Sequence, residues 1–171
     1  IDALKRALHF APASGHALDV GCGSQGRFMD LLRDHGFITE GLDISPAMIQ
    51  LAAKRNPEAY FHTGDICVWD IPRAYDFISA WDSTFHLPLS QQEPVTRKLC
   101  GALTPGGILL FTCGGGAPSE ITGTFGGQHL GYSTLGPERF VAILHECGCE
   151  CLHLEYDQHP EKHVHIIARK A

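Results

Sequence analysis

Residues 16–28 read H-A-L-D-V-G-C-G-S-Q-G-R-F. The run His16 to Val20 is short and apolar, and it stops at Gly21, Gly23 and Gly26. Phe28, Leu31, Leu32 and His35 then recur at helical spacing until Gly36. A strand that turns through glycines into a helix brings backbone close to a ligand, because glycine accepts the sharp turn and leaves no side chain in the way. The spacing also fits G-x-G-x-x-G. Alone that pattern is weak, since glycine-rich turns also occur simply as turns.

The flanking sequence repeats the same alternation. Phe37 to Leu42 reads as a second strand. Ser45-Pro46 is an N-cap followed by proline at the first helical position, and Met48, Ile49 and Ala52 give a helical face that Pro57 stops. Strands are expected at Ala59 to His62, Tyr75 to Ala80 and Ile108 to Thr112, the last fully buried. Helices are expected at Gln91 to Leu103, closed by Thr104-Pro105-Gly106-Gly107, and at Pro137 to Cys147. Strands 149–156 and 163–169 are close enough for an antiparallel hairpin. Alternating strands and helices predict an α/β fold: a doubly wound, mostly parallel Rossmann-like sheet with a C-terminal antiparallel hairpin, in one domain spanning 1–171. Segment 113–134, rich in Gly, Ser and Thr and without periodicity, reads as a lid or binding loop.

Asp43 falls at the tip of the second strand, 24 residues after Asp19. Ligands sit at the carboxyl ends of strands in this architecture. A carboxylate there can accept bonds from both ribose hydroxyls, each worth about 1.5–3 kcal/mol. The bland alternative is a charge favoured by the following helix dipole.

Composition narrows the partners. The 171 residues carry a net charge of −6 and no run of Lys or Arg, which disfavours binding to extended nucleic acid. No apolar run reaches membrane-spanning length, and no leader resembles a signal peptide. Seven scattered cysteines, an odd count, fit a reducing, cytoplasmic setting better than a disulfide framework. The chain starts at Ile1 rather than Met, already in a helical pattern, leaving room for native residues ahead of it.

Four ordered blocks now carry a specific resemblance. L-D-V-G-C-G (18–23), E-G-L-D-I-S (40–45), T-G-D-I (63–66) and L-T-P-G-G-I-L-L-F-T (103–112) resemble the motifs of class I S-adenosylmethionine-dependent methyltransferases. The resemblance implies S-adenosylmethionine as cofactor. It sets Asp19, Gly21, Cys22 and Gly23 along the methionine part, Asp43 and Ile44 at the ribose, and Asp65 and Ile66 at the adenine. In A-W-D-S-T-F-H-L-P (80–88) it places Ala80 and Trp81 beside the methionine moiety, where Trp81 could face the sulfonium. The family loop usually has a glycine where Gln25 stands, or is one residue shorter.

His86 is a candidate general base, with a helix-start or structural histidine as the alternative. Ser83, His129 and Tyr132 are candidates for the acceptor side, with 81–86 expected to face 113–134 across the transferred methyl. At the far end, Cys147, Cys149, Cys151 and His153 alternate on one strand face, but ligands along a straight strand are too far apart to close a tetrahedron, so no metal site is expected. His163 and His165 are expected at the surface or a sheet edge. The turn Asp157 to Lys162 is explained by turn chemistry, with a substrate-facing role as the lesser reading.

Methyl transfer to a small-molecule acceptor is the reading these residues favour. A nicotinamide-dependent oxidoreductase could use the same glycine turn, but Asp19 ahead of the glycines, T-G-D-I and the P-G-G block stand against it. A protein that binds S-adenosylmethionine without turnover is the remaining alternative, since fold and site do not imply catalysis. Acceptor and oligomeric state leave no mark in the sequence.

Overall fold

A computed structural model describes the backbone of residues 1–125 and 128–171 and the side chains of 1–124 and 131–171. Helix α1 (Asp2–Phe10) leads to β1 (Gly15–Val20), α2 (Met29–Asp34), β2 (Phe37–Asp43), α3 (Pro46–Arg55), β3 (Tyr60–Thr63) and β4 (Tyr75–Ala80). A single 3₁₀ turn, Thr84–His86, precedes α4 (Leu89–Gly101) and β5 (Leu103–Gly114). Strands β6 (Ser119–Phe125) and β7 (Gln128–Thr134), helix α5 (Pro137–Glu146) and strands β8 (Cys149–Tyr156) and β9 (His163–Lys170) complete the order.

Seven strands form one sheet in the order β3-β2-β1-β4-β5-β9-β8. The first five run parallel; β9 is antiparallel to both β5 and β8. The doubly wound sheet and the C-terminal antiparallel pair expected from the sequence are both present. The chain winds outward from β1 to β3, then returns to β4 on the other side of β1. That reversal is the topological switch point where such sheets open a crevice at their carboxyl ends.

Apolar spacing explains the layers. Leu4, Ala7 and Leu8 on α1, with Leu32 on α2, bury one sheet face; Val95 and Leu99 on α4, with Phe140 and Leu144 on α5, bury the other. Ile108, Leu109 and Leu110 of β5 are wholly buried between them. Truncating any of these to alanine is worth about 2–5 kcal/mol of stability.

Three local expectations are revised. Residues 104–107, read as a turn, lie inside β5: Tyr75 pairs with Leu103 but Phe77 with Ile108, so the Pro-Gly-Gly segment bulges from the ladder. Segment 113–134 is not a structureless loop. β6 and β7 pair antiparallel as a separate ribbon, from Ser119↔Thr134 to Phe125↔Gln128. This ribbon leaves Ile121 63% exposed, so it has no strict apolar alternation to betray it. Lastly, His165 is buried rather than peripheral, because β9 inserts between β5 and β8 and leaves β8 as the edge.

Candidate active site

The glycine turn is pinned to the end of β2. Gly21 and Cys22 donate their N–H groups to the Leu42 carbonyl at 2.7 and 3.1 Å. Gly23 N–H donates to Asp43 Oδ2 at 2.9 Å, and Ser45 N–H donates to Asp43 Oδ1 at 2.9 Å. Gly21 has φ +72°, and a Cβ there would lie 2.3 Å from the Ser83 Cβ, so both conformation and space require glycine. Gly23, at φ +62°, has nothing within 4 Å of where its Cβ would stand. Its bare backbone faces a cavity of about 540 Å³ at the carboxyl ends of the strands.

Gly21, Gly23, Asp43, Ile44, Asp65 and Ile66 line that cavity, and Ser83 and His86 close it from the β4 side. Asp43 uses one lone pair on each oxygen for the backbone; a carboxylate offers about four such sites, leaving two for ribose hydroxyls. Asp65 Oδ1 accepts from Cys67 N–H at 2.9 Å, which fixes the carboxylate at the rim. Ile66 is buried beside it, whereas Ile44 is 68% exposed, an apolar surface at the cavity mouth that a flat heterocycle would cover. The open backbone at Gly23, two strand-end carboxylates and adjacent apolar walls match the parts of S-adenosylmethionine.

Four residues expected beside the methionine moiety do not reach the cavity wall. Asp19 lies buried beneath it, with Oδ1 accepting from the Ser79 hydroxyl at 2.6 Å. Burial pushes its carboxyl up to about 6, against the Ser79 hydrogen bond and the charge of Arg27. Cys22 is buried behind the glycine turn, its thiol held high by desolvation and the charges of Asp19 and Asp43. Ala80 is a core residue with no exposure. Trp81 turns to the α1 face, where its ring lies 5.7 Å from Phe28 and 5.8 Å from His165.

A second cavity, about 530 Å³, lies beyond the 82–86 stretch. Phe85, Tyr132, Lys162 and His163 are among its walls. The His86 and Tyr132 rings meet at 4.9 Å, so 81–86 and the β6–β7 ribbon do face each other. Ser83 donates its hydroxyl to the Val20 carbonyl at 2.8 Å and stands against Gly21 rather than in this second cavity. The His129 side chain lies outside the described residues.

Sequence reasoning missed Met48, Asp82 and His163. Met48 sits at a helical spacing that reads as core, yet it is 40% exposed and lines the first cavity. Asp82 holds φ +50°, a left-handed conformation that aspartate tolerates better than most residues and that no local pattern announces. His163 bridges two carboxylates, with Nε2 3.0 Å from Asp82 Oδ1 and Nδ1 2.5 Å from Asp157 Oδ1. Its bond to Asp82 raises the imidazole above its usual range, against burial and with help from Asp157. Burial pushes Asp82 up, but the bond and charge of His163, with Arg27, outweigh it and leave the carboxyl low. The signal lay in D-Q-H-P-E-K-H, but the contact crosses 81 residues and is visible only in the fold.

The fold and this cavity define a Rossmann-like methyltransferase domain. Residues 1–119 match the family model described as a methyltransferase domain, and the chain belongs to that family. It is 31% identical over 102 residues to dTDP-4-amino-2,3,4,6-tetradeoxy-D-glucose N,N-dimethyltransferase of Saccharopolyspora spinosa, covering 58% of this chain and 41% of that protein. It is 37% identical over 101 residues to trans-aconitate 2-methyltransferase of Paracidovorax citrulli, covering 57% and 38%. The chain thus spans about two fifths of the length of these relatives. In fold it resembles an S-adenosylmethionine-dependent methyltransferase from Mesorhizobium loti, with a TM-score of 0.77 at 18% identity over 98% of both chains.

Proposed function

We propose that this protein transfers a methyl group from S-adenosylmethionine to a small-molecule acceptor seated in the second cavity. The observation that carries this reading is the pair of cavities on either side of the 82–86 stretch, one lined by Asp82, Ser83, Thr84 and His86 and fitted to a nucleoside, the other walled by Phe85 and the ribbon. The two relatives named above methylate, by their names, an amino sugar nitrogen and trans-aconitate. That diversity supports a small acceptor without choosing one.

When bound, S-adenosylmethionine supplies a methyl group already activated by sulfonium charge. The chain's own task is then alignment, a proximity effect. Asp43 and the Gly23 backbone fix the nucleoside end, Asp65 and Ile66 the adenine. Phe85 and Tyr132, stacked 5.8 Å apart at 19°, offer a flat apolar wall to the acceptor. His86 Nδ1 lies 3.1 Å from the Gly131 carbonyl, a contact that requires Nδ1 to carry the proton. In that tautomer Nε2 is an acceptor, suited to take the proton from an acceptor hydroxyl as its oxygen attacks the methyl, or from an acceptor ammonium before its freed lone pair attacks.

Calorimetry with S-adenosylmethionine, S-adenosylhomocysteine and NAD tests the cofactor assignment; the sulfur cofactors should bind saturably and NAD should not. A metabolite screen for S-adenosylhomocysteine release then tests turnover. Saturable NAD binding with no heat from either sulfur cofactor would overturn the reading. Cofactor binding without turnover on any acceptor class would leave a binding protein.

A further inference from the structure

On the α1 side of the sheet, away from the nucleoside cavity, three ligand-type side chains converge. His153 and Glu155 stand two residues apart on β8, and Glu155 pairs across the ladder with His165 of β9. Each presents one ligand atom, and the three atoms lie within 4.8 Å of one another. His153 Nε2 is 2.8 Å, and His165 Nε2 3.8 Å, from Glu155 Oε2. His165 is only 3% exposed, and among the described residues neither ring nitrogen makes a well-aligned hydrogen bond, Asp157 standing 3.3 Å from Nδ1 and Glu155 3.8 Å from Nε2. Leaving a buried polar group unsatisfied costs about 1–3 kcal/mol, and an ion held between His165 Nε2 and Glu155 Oε2 would satisfy the nitrogen that Asp157 does not face.

We propose that His153, Glu155 and His165 bind a divalent transition-metal ion, with zinc as the best-matched ion, and that Asp157 orients His165 from behind. Two imidazoles and one carboxylate form a borderline nitrogen–oxygen donor set of the kind zinc accepts. Bonds of 2.0–2.1 Å in a tetrahedron separate ligand atoms by about 3.4 Å. The present spacings bracket that value, so side-chain shifts of about 1 Å suffice to close the site. Asp157 Oδ2 stands 3.3 Å from His165 Nδ1. A carboxylate behind the non-ligating nitrogen is the usual support for a metal-bound histidine. The fourth position would fall to water, β8 being the sheet edge.

Arg6 is the competitor. Its guanidinium touches His153 Nε2 and lies 2.5 Å from Glu155 Oε2, so a cation already occupies the ligand atoms. The Arg6 side chain is 45% exposed and can swing into solvent when a doubly charged ion enters. This inference does not rest on methyl transfer, and its test measures the ion.

The whole protein, stripped with a chelator, is titrated calorimetrically with Zn²⁺ and spectroscopically with Co²⁺. One ion per chain is expected. His153→Ala should weaken binding at least tenfold and Asp157→Asn about 10–100-fold, while Arg6→Ala should tighten it. His165→Ala should match His153→Ala if circular dichroism shows it folded; His153, 27% exposed, carries the test if it does not. His145→Ala, at the exposed end of α5, should bind like the parent. Cu²⁺ should quench Trp81, whose ring lies 5.8 Å from that of His165. Binding weaker than about 1 mM, binding unchanged in His153→Ala, or a thiolate-to-cobalt charge-transfer band lost in Cys149→Ala would each overturn the proposal.

Discussion

The two cavities on either side of residues 82–86 are made of different material. The nucleoside cavity is shaped by backbone: Gly21 and Gly23 at positive φ, N–H groups drawn onto Leu42 and Asp43, and carboxylates at strand ends. The second cavity is lined by the glycine turn Gly114–Gly116 at the end of β5 and by side chains from the two-stranded ribbon and the turn between β8 and β9. Backbone geometry tolerates few sequences, whereas side-chain walls can be exchanged freely. The family match stops at residue 119, at the start of the ribbon.

The largest effect should come from Asp43→Ala. Losing two charged hydrogen bonds at about 1.5–3 kcal/mol each predicts S-adenosylmethionine binding weaker by about 10²–10⁴-fold, with the circular dichroism spectrum unchanged. Calorimetry checks it; a change within about twofold would remove Asp43 from the ribose.

His86→Ala separates the two cavities. Turnover should fall by about 10²–10⁴-fold, the range for a lost general base, with cofactor affinity nearly intact. Equal losses in both quantities would mean that His86, which lines the nucleoside cavity, holds the cofactor rather than moves a proton.

Gly21→Ala attacks the backbone half directly. A non-glycine residue forced into this conformation costs about 1–3 kcal/mol, and the added methyl meets the Ser83 Cβ at 2.3 Å. Thermal denaturation should show the loss, and Ser83→Gly in the same chain should recover only the steric part.

The smallest effect concerns Asp19. Its value of about 6 in the fold lies above the ordinary 3.8, so the folded state holds this proton more tightly than the unfolded chain. The stability it contributes is complete below pH 3.8 and is lost as pH rises through 6. Asp19→Asn should therefore raise the stability of the unliganded protein at pH 7–8, with no gain below about pH 4. If Asp19 faces the cofactor's ammonium, the same variant should weaken cofactor binding by about tenfold above pH 6 and little below it. A denaturant series at two pH values, paired with calorimetry, reads both.

How legible each half was from sequence follows from the same contrast. Strand-glycine-helix patterning and a strand-tip aspartate are local, so Gly21, Gly23 and Asp43 could be placed on the cavity by position, and Asp65 and Ile66 by the resemblance of T-G-D-I to the family motif. Trp81 was placed beside the methionine moiety by the resemblance, whereas it continues the alternation of β4, facing α1 with Phe77 while Ile78 and Ala80 face the other way. The ribbon was invisible because Gly, Ser and Thr on an exposed two-stranded sheet bury no alternating face. His165 was misplaced because strand order, not strand identity, decides which strand is the edge.

That order also has a consequence for how the chain is made. β5 carries the apolar run Ile108 to Phe111, and one of its edges is completed only by β9. β5 ends at Gly114 and β9 begins at His163, so about fifty residues separate them. At about 5–20 residues per second, the ribosome delivers the missing neighbour several seconds later. During that interval the nascent domain exposes an unpaired edge along the apolar run Ile108 to Phe111, the kind that recruits chaperones or neighbouring chains. Slower translation between β5 and β9 lengthens that interval, so synonymous codons that slow synthesis over residues 115–162 should send more of the protein to inclusion bodies than codons that speed it.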